Sequence, residues 1–192
     1  SRGLGDVYKR QSMDGEIGEV GKRVASEMEA LGFQGVRFDK MGNIMGHVGS
    51  GPRTMVYDSH IDTVGIGALE SWGWDPFEGK VEDGILYGRG SVDAKGPLAA
   101  FVEAAAHFSE SQLITVLVVG CVREETDSAG GKHLLTDLST PDWAVIGEPS
   151  GWNGFTIGYK GSFTLEYRLE VPRHHYGAAD KTAAEEAVTF YD

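Results

Sequence analysis

Residues 113–122 place the strongest constraint on the fold, because almost all of them are apolar and most are β-branched. A strand with one face in water alternates apolar and polar residues, whereas an unbroken run of this kind is typical of a strand buried on both faces. Such a strand lies in a sheet that has helices on either side. The run therefore predicts an α/β fold with a central sheet.

Predicted helices and strands alternate along the rest of the chain. Apolar residues at helical spacing over 17–31 predict an amphipathic helix that ends at Gly32, and Pro97 fits the first turn of an alanine-rich helix that continues to Ala106. The other predicted segments are hairpins over 36–48 and around Asp83-Gly84, strands over 54–57 and 143–146, and a helix over 130–138. This alternation predicts an α/β sandwich.

The apolar pattern changes near Phe155, where we place a domain boundary. Over 163–171 apolar and charged residues alternate, which is typical of a strand with one face in water. We expect the N-terminal part of a first domain over 12–154 and the truncated start of a second over 155–192.

Both ends of the chain predict a fragment of a longer protein. Residues 6–11 resemble the in-frame translation of a transposase adaptor used to prepare sequencing libraries, so residues 1–11 are expected to be non-native. The alternative is a genuine N-terminal tail. At the other end, helical spacing over 182–191 stops at Asp192 without the Gly, Asn or basic last turn that usually ends a helix.

The composition excludes several classes of function. The formal net charge of −12 argues against a nucleic-acid partner, since phosphate binding needs clustered Lys and Arg. No apolar run approaches the roughly 20 residues of a membrane span and no charged-then-apolar leader opens the chain, so we expect a cytoplasmic protein without membrane contact. The single cysteine, Cys121, excludes an internal disulfide and a thiolate-rich zinc site, and we expect it to be buried.

Three predicted strands are each followed by a side chain that can bind a metal ion. These side chains are His60, the pair Glu124-Glu125, and Glu148. In open α/β sheets ligands bind beyond the carboxyl ends of the strands, so the three sites can meet there. Each alone has an ordinary alternative, a structural histidine or a solvated glutamate, and the prediction depends on the combination. Carboxylates and an imidazole without sulfur suit Zn²⁺, with Co²⁺ or Mn²⁺ as alternatives.

The spacing of these residues indicates possible roles. If one ring nitrogen of His60 binds metal, Asp62 could accept the N–H of the other and fix the tautomer, and a loop carboxylate such as Asp93 could bridge two cations. Neighbouring Glu124 and Glu125 point in different directions. One can therefore bind metal while the other takes a proton from a metal-activated water that attacks a carbonyl carbon.

Four motifs in a fixed order carry a resemblance to a known family. They are DSHIDTV at 58–64, GRGSVDAKG at 88–96, EE at 124–125 and GEPS at 147–150. Over about residues 12 to 192 the chain resembles the M20 metallopeptidases, which include acetylornithine deacetylase and succinyl-diaminopimelate desuccinylase. The sequence at 93–100, 147–152 and 158–161 is most similar to that of the branch that releases lysine or ornithine from an amino-group carrier protein. The resemblance implies a zinc-peptidase-like mixed sheet flanked by helices.

The resemblance also implies amide hydrolysis at a two-metal site. By position, His60 and Glu148 would bind one metal ion, Glu125 would bind the other, and Asp93 would bridge them. The remaining ligand of the second ion is a histidine near the C-terminus of family members, which this chain does not reach, so the fragment itself is expected to be inactive.

Two catalytic roles follow from the same resemblance. Glu124 would be the general base and then the acid that protonates the leaving amine, and Asp62 would orient His60. The family pattern further implies a cis peptide bond between Asp93 and Ala94.

A small α+β lid that mediates homodimerisation is also implied, beginning near Phe155. It would send a histidine toward the partner's active site, and the spacing from Pro172 favours His175 over His174. The alternative is a surface histidine pair beside a turn. Residues 176–179 depart from the family pattern, which weakens the assignment of His175.

The substrate and one other functional class stay open. Family members accept N-acyl amino acids, dipeptides or carrier-linked amino acids, and an acidic carrier would be repelled by a chain of net charge −12. Trp72, Trp74 and Phe77 could line a pocket or belong to the core. A noncatalytic relative that keeps the fold as a metal-binding interaction module is the alternative to an enzyme. Three further histidines are expected to be structural: His47, His107 and His133.

Overall fold

A computed structural model describes residues 17–151, 153–161, 166–170 and 182–191. The chain divides into two compact units, Ser1–Trp152 and Asn153–Asp192. The predictions for residues 1–11 and for His174 and His175 lie outside the described residues.

The first unit alternates strands and helices, as the sequence predicts. Its elements are α1 (Ile17–Ala30), β1 (Gln34–Phe38), β2 (Ile44–Val48), β3 (Arg53–His60), a 3-10 turn (Leu69–Ser71), β4 (Lys80–Glu82), β5 (Ile85–Tyr87), α2 (Lys95–Ala106), β6 (Ile114–Cys121), α3 (Ala129–Asp137) and β7 (Trp143–Ile146). Both predicted hairpins are confirmed, and the turn between β4 and β5 has positive φ at Asp83 and Gly84, as a tight hairpin turn requires.

The central sheet has five strands in the order β1-β2-β6-β3-β7. β2 is antiparallel to β1 and β6, whereas β3 is parallel to both β6 and β7. The run over 113–122 forms β6, and its residues Val116, Val118 and Val119 are fully buried. The expected mixed sheet with a doubly covered inner strand is confirmed.

Helices cover both faces of this sheet. On one face α1 and α2 contribute Val20, Val24, Met28, Leu98 and Val102 to a core that includes Val116 and Val118 of β6. On the other face a smaller cluster holds Met45, Val56, Val119, Cys121 and Leu134, the last from α3. Alternate residues of β6 thus enter different cores. Cys121 is buried, as predicted.

Strand β3 is longer than the predicted strand over 54–57. It continues through Asp58 and Ser59 to His60 and pairs with β6 up to Cys121. The prediction ended at Tyr57 because the next residues are polar, and polar residues usually mark the end of a buried strand. Here the polar side chains have internal partners, so Ser59 and His60 are buried within the strand. His60 is the last residue of β3 rather than part of the following loop.

The second unit contains one helix in its described residues, α4 (Ala183–Tyr191). Its N-terminus has a capping box, because Glu185 N–H donates to Thr182 Oγ1 and Thr182 N–H donates to a Glu185 carboxylate oxygen. Residues 166–170 have no regular secondary structure, so the strand predicted over 163–171 is absent from that stretch. A strand needs a hydrogen-bonded neighbour, and the described residues of this unit form none. Across both units, none of the described helices has the length and apolar character needed to cross a membrane.

Candidate metal centre

The candidate site lies at the carboxyl ends of three neighbouring parallel strands. β3 ends at His60, β6 leads to Glu124 and Glu125, and β7 leads to Glu148. The loop before α2 adds Asp93. Because β6, β3 and β7 are adjacent and parallel, their ends reach the same edge of the sheet.

The ligand atoms fall into two groups, and within each group they lie within 4.8 Å of one another. One consists of His60, Asp93 and Glu148, and the other of His60, Glu124 and Glu125. His60 Nε2 lies 2.8 Å from Asp93 Oδ1 and 3.9 Å from Glu148 Oε1. His60 belongs to both groups, so the imidazole joins all four of these carboxylates into one cluster.

Asp62 lies beside the His60 ring, and its main-chain oxygen is closer to Nδ1 than its carboxylate is. The side chain of His60 is 1% exposed, and its Nδ1 lies 2.9 Å from the main-chain oxygen of Asp62. The nearest carboxylate oxygen of Asp62 is farther away, at 3.6 Å. A proton on Nδ1 is therefore donated mainly to the carbonyl, which leaves Nε2 free to face the carboxylates.

The Asp62 carboxylate has a second task that the sequence did not indicate. It accepts the backbone N–H of Glu124 at 3.2 Å and the backbone N–H of Glu125 at 3.1 Å. Burial alone would raise the pKa of Asp62, but the neighbouring His60 and hydrogen bonds from these two backbone groups lower it. An ionised Asp62 thus ties the loop that carries both glutamates to the end of β3.

Asn43 holds the same loop at its two ends. Its position after the turn of a hairpin did not predict this role. Its side chain is fully buried, and its Oδ1 accepts the N–H of Val122 at 2.9 Å. Its Nδ2 donates to Asp39 Oδ2 at 2.7 Å and to the carbonyl of Gly130 at 3.1 Å. Asparagine is ordinary near turns for local reasons, so nothing in the sequence marked this long-range function.

The electrostatics of the cluster favour a bound cation. Burial raises the pKa of Glu125, and the charge of Asp93 raises it further. Burial likewise raises the pKa of Glu148, where His60 opposes the effect and Glu124 adds to it. Carboxylates that repel one another in this way are stabilised by a positive charge between them. With one imidazole nitrogen and no sulfur, the donor set suits zinc, cobalt or manganese.

Cys121 does not join this donor set. Its Sγ donates to Asp58 Oδ1 at 2.8 Å, and burial raises the pKa of the thiol. Metal ions bind the thiolate rather than the thiol, so this cysteine stays a core residue.

We expect metal affinity to depend steeply on pH. Burial would lower the pKa of His60, but its hydrogen bonds to Asp62 and Asp93 and the charge of Glu148 raise it from 6.5 to about 9. Below that pH a metal ion must displace the proton from the imidazole. The apparent affinity for Zn²⁺ should therefore rise about tenfold per pH unit from about 6.5 to about 9. Competition with a chelator of known pH dependence measures this, and a flat profile would contradict it.

The raised pKa of His60 has the opposite effect on the stability of the metal-free protein, which should fall as the pH rises. A folded-state pKa above the unfolded value stabilises the fold fully below pH 6.5, and this contribution is lost as the pH rises through about 9. Thermal unfolding of metal-free protein across that range separates the two effects.

The other residues singled out from the sequence lie outside the two ligand groups. Trp72 donates its indole N–H to the carbonyl of Ile66, and the guanidinium of Arg89 lies 5.2 Å from its ring centroid. Trp74 contacts Trp72 and Tyr87 edge-on. Neither tryptophan nor Phe77 belongs to the two core clusters. Among the remaining histidines, His133 Nε2 lies 3.8 Å from Asp39 Oδ2, and His47 and His107 are in neither ligand group.

The peptide bond between Asp93 and Ala94 is cis, as expected.

Residues 56–190 match the sequence profile of peptidase family M20/M25/M40. The chain is 35% identical over 176 residues to the uncharacterized protein YgeY of Escherichia coli K12, covering 89% of this chain and 43% of that protein. It is 38% identical over 189 residues to a putative [LysW]-lysine/[LysW]-ornithine hydrolase of Thermococcus kodakarensis, covering 97% of this chain and 48% of the relative.

The fold has counterparts among solved structures. Human carnosine dipeptidase 1 superposes with a TM-score of 0.64 at 24% identity, over 77% of this chain and 36% of that one. At this identity the likeness shows the fold alone. The chain spans about half the length of the curated relatives it matches.

Proposed function

The chain belongs to peptidase family M20/M25/M40, a family of hydrolases, and we propose that the complete protein is a metal-dependent hydrolase that cleaves an amide bond in an N-acyl or carrier-linked amino acid. One observation carries this proposal. A single buried imidazole, His60, connects two groups of carboxylates at the edge of the sheet, and one of those groups contains a pair of adjacent glutamates. Adjacent glutamates allow metal binding and proton transfer to be divided between neighbouring side chains.

In the proposed centre His60 and Glu148 would hold one metal ion, Glu125 would hold a second, and the Asp93 carboxylate would serve both. Zinc is the proposed metal, with cobalt or manganese as alternatives. A bound divalent ion would polarise the amide carbonyl and lower the pKa of a water molecule. The 4.8 Å clustering of His60, Asp93 and Glu148 and the raised pKa of Glu148 support the first ion. Burial and then the charge of Asp93 raise the pKa of Glu125, and this charge supports a second ion between those two carboxylates.

Glu124 is the proposed general base. It is more exposed than Glu125, so it can reach a water molecule, while its backbone N–H is held on Asp62. It would take a proton from water as the oxygen bonds to the carbonyl carbon. It would then give that proton to the departing nitrogen as the carbon–nitrogen bond breaks, so the base is restored.

The proposed substrate carries lysine or ornithine linked through an amide to an amino-group carrier protein. The name of the Thermococcus kodakarensis relative supports this choice, and the motif sequences at 93–100 and 147–152 agree with it. Acetylornithine, succinyl-diaminopimelate and dipeptides are the alternatives. The net charge of −12 argues against an acidic carrier unless local cations reverse the field at the site.

We further propose that residues 155–192 begin a smaller lid domain through which the complete protein forms a homodimer. His175 remains the predicted residue that reaches the partner's active site.

The function can be tested by metal removal from the complete protein that contains this chain. Dialysis against a chelator should lower amide hydrolysis by about a thousandfold, because metal activation of a carbonyl and a water is worth several kcal/mol. Adding Zn²⁺, Co²⁺ or Mn²⁺ should restore it. The assay compares carrier-linked lysine, acetylornithine, succinyl-diaminopimelate and a dipeptide. Hydrolysis that survives complete metal removal, or no hydrolysis of any of these amides, would contradict the proposal.

A further inference from the structure

The hydroxyl of Ser59 lies between two loops that carry predicted metal ligands. Ser59 is 2% exposed and precedes His60 in β3. Its Oγ lies 2.9 Å from the carbonyl oxygen of Ala94 and 3.0 Å from that of Gly147. A hydroxyl has one proton, so it donates to these two acceptors alternately or shares the proton between them.

Each of these carbonyls belongs to the residue next to a ligand. Ala94 follows Asp93, and Gly147 precedes Glu148. Ser59 itself adjoins His60, so all three members of the group formed by His60, Asp93 and Glu148 are one residue away from this hydrogen-bond system.

Contacts other than the Ser59 hydroxyl also restrict the position of Gly147. Its N–H donates to the carbonyl of Asp58 at 2.8 Å, so β3 holds both polar groups of the Gly147 backbone. A Cβ placed on Gly147 would lie 2.7 Å from Phe101 Cε2 and 2.9 Å from Pro97 Cβ, which shows how closely this loop packs on α2. The position of Glu148 is thus set by β3 on one side and α2 on the other.

We propose that Ser59 is a positioning residue that fixes the separation of the Asp93 and Glu148 carboxylates around His60. Through that separation it sets the affinity of this ligand group for a divalent ion, without contacting the ion or the substrate. The inference rests on the proposed metal-dependent function. It is specific to one group, because the loop of Glu124 and Glu125 is held by Asp62 and Asn43 instead.

A hydroxyl with a purely structural role would affect folding and leave metal affinity unchanged. The two roles can be separated with a matched control on the neighbouring strand. Thr115 of β6 donates its hydroxyl to the carbonyl of Gly51 at 2.8 Å. Thr115 pairs with Thr54 near the start of β3, whereas Ser59 and His60 lie at the end of that strand. Thr115→Val removes the same kind of hydrogen bond away from the ligands.

The test measures Zn²⁺ affinity and stoichiometry of the 192-residue chain by competition with a chromophoric chelator, together with the unfolding temperature of the metal-free form. Ser59→Ala should weaken Zn²⁺ binding by about 10- to 100-fold, the range for losing an outer hydrogen bond that orients metal ligands. Thr115→Val should bind Zn²⁺ within about twofold of the wild type, although it also lowers the unfolding temperature. Ser59→Thr, which keeps the hydroxyl, should retain most of the affinity.

The outcomes distinguish this inference from the proposed function. If the wild-type chain binds no divalent ion, the proposed metal centre fails. If the wild type binds Zn²⁺ and Ser59→Ala binds it equally well, or if Thr115→Val loses as much affinity, Ser59 is only structural. Should Ser59→Ala not fold, Ser59→Cys replaces it, because a thiol is a weaker donor of similar shape. Mn²⁺ is then the probe, because a thiolate is itself a ligand for Zn²⁺ and suits Mn²⁺ poorly. Unchanged Mn²⁺ affinity in Ser59→Cys would overturn the proposal, whereas weakened binding supports it.

Discussion

Replacing Glu124 with Gln is expected to lower kcat for amide hydrolysis by about 10²- to 10⁴-fold, the range for general acid–base catalysis. The amide of Gln keeps the shape of the side chain and cannot accept a proton from water. Because the Glu124 backbone is held on Asp62, the loop should keep its position and the metal content should not fall. Steady-state kinetics of the complete protein, with metal analysis of the same samples, check both expectations.

The control for this experiment is Glu103→Gln. Glu103 is exposed on α2 and belongs to neither ligand group, so removing its charge alters the net charge equally without affecting the site. Its kcat should match that of the wild type. Turnover by Glu124→Gln within about tenfold of the wild type would remove Glu124 as the base.

Replacing His60 with Ala should have the largest effect on metal binding. His60 supplies the only nitrogen donor in the two ligand groups, so a single substitution leaves both groups with carboxylates alone. We expect the affinity for Zn²⁺ to fall by more than about a hundredfold, beyond the upper end of what loss of an outer hydrogen bond costs. Chelator competition and metal analysis of the purified chain measure this loss.

A histidine outside the cluster provides the comparison. His107 is exposed at the C-terminal end of α2, and His107→Ala should bind Zn²⁺ like the wild type. Wild-type affinity in His60→Ala would show that the imidazole is not a ligand and would leave the carboxylate cluster without its predicted nitrogen donor.

The elements with a local signal could be predicted from the sequence. β6 was predicted from a run of β-branched residues, and α1 from the spacing of Val20, Val24 and Met28. The end of β3 could not be predicted, because Asp58, Ser59 and His60 look like a loop until their partners are known. Those partners include Ala94 and Gly147, which only the folded chain brings close.

The meeting of the candidate ligands was also predictable, since parallel strands present their carboxyl ends at one edge. The groups that hold those ligands in place were not. Asp62 bonds Glu124 across 62 residues of sequence, and Asn43 bonds Val122 across 79. No spacing rule connects residues so far apart. The sequence could therefore suggest which side chains gather and could not show what orients them.

The parallel pairing of β3 with β6 and β7 also determines when the candidate site can form during folding. When β3 has been synthesised, His60 is present and every carboxylate of the two ligand groups is still to come. The sheet closes around His60 only after both later strands exist, and such long-range pairing is slow. A cation held by both ligand groups would therefore bind only after β7 and Glu148 have been synthesised.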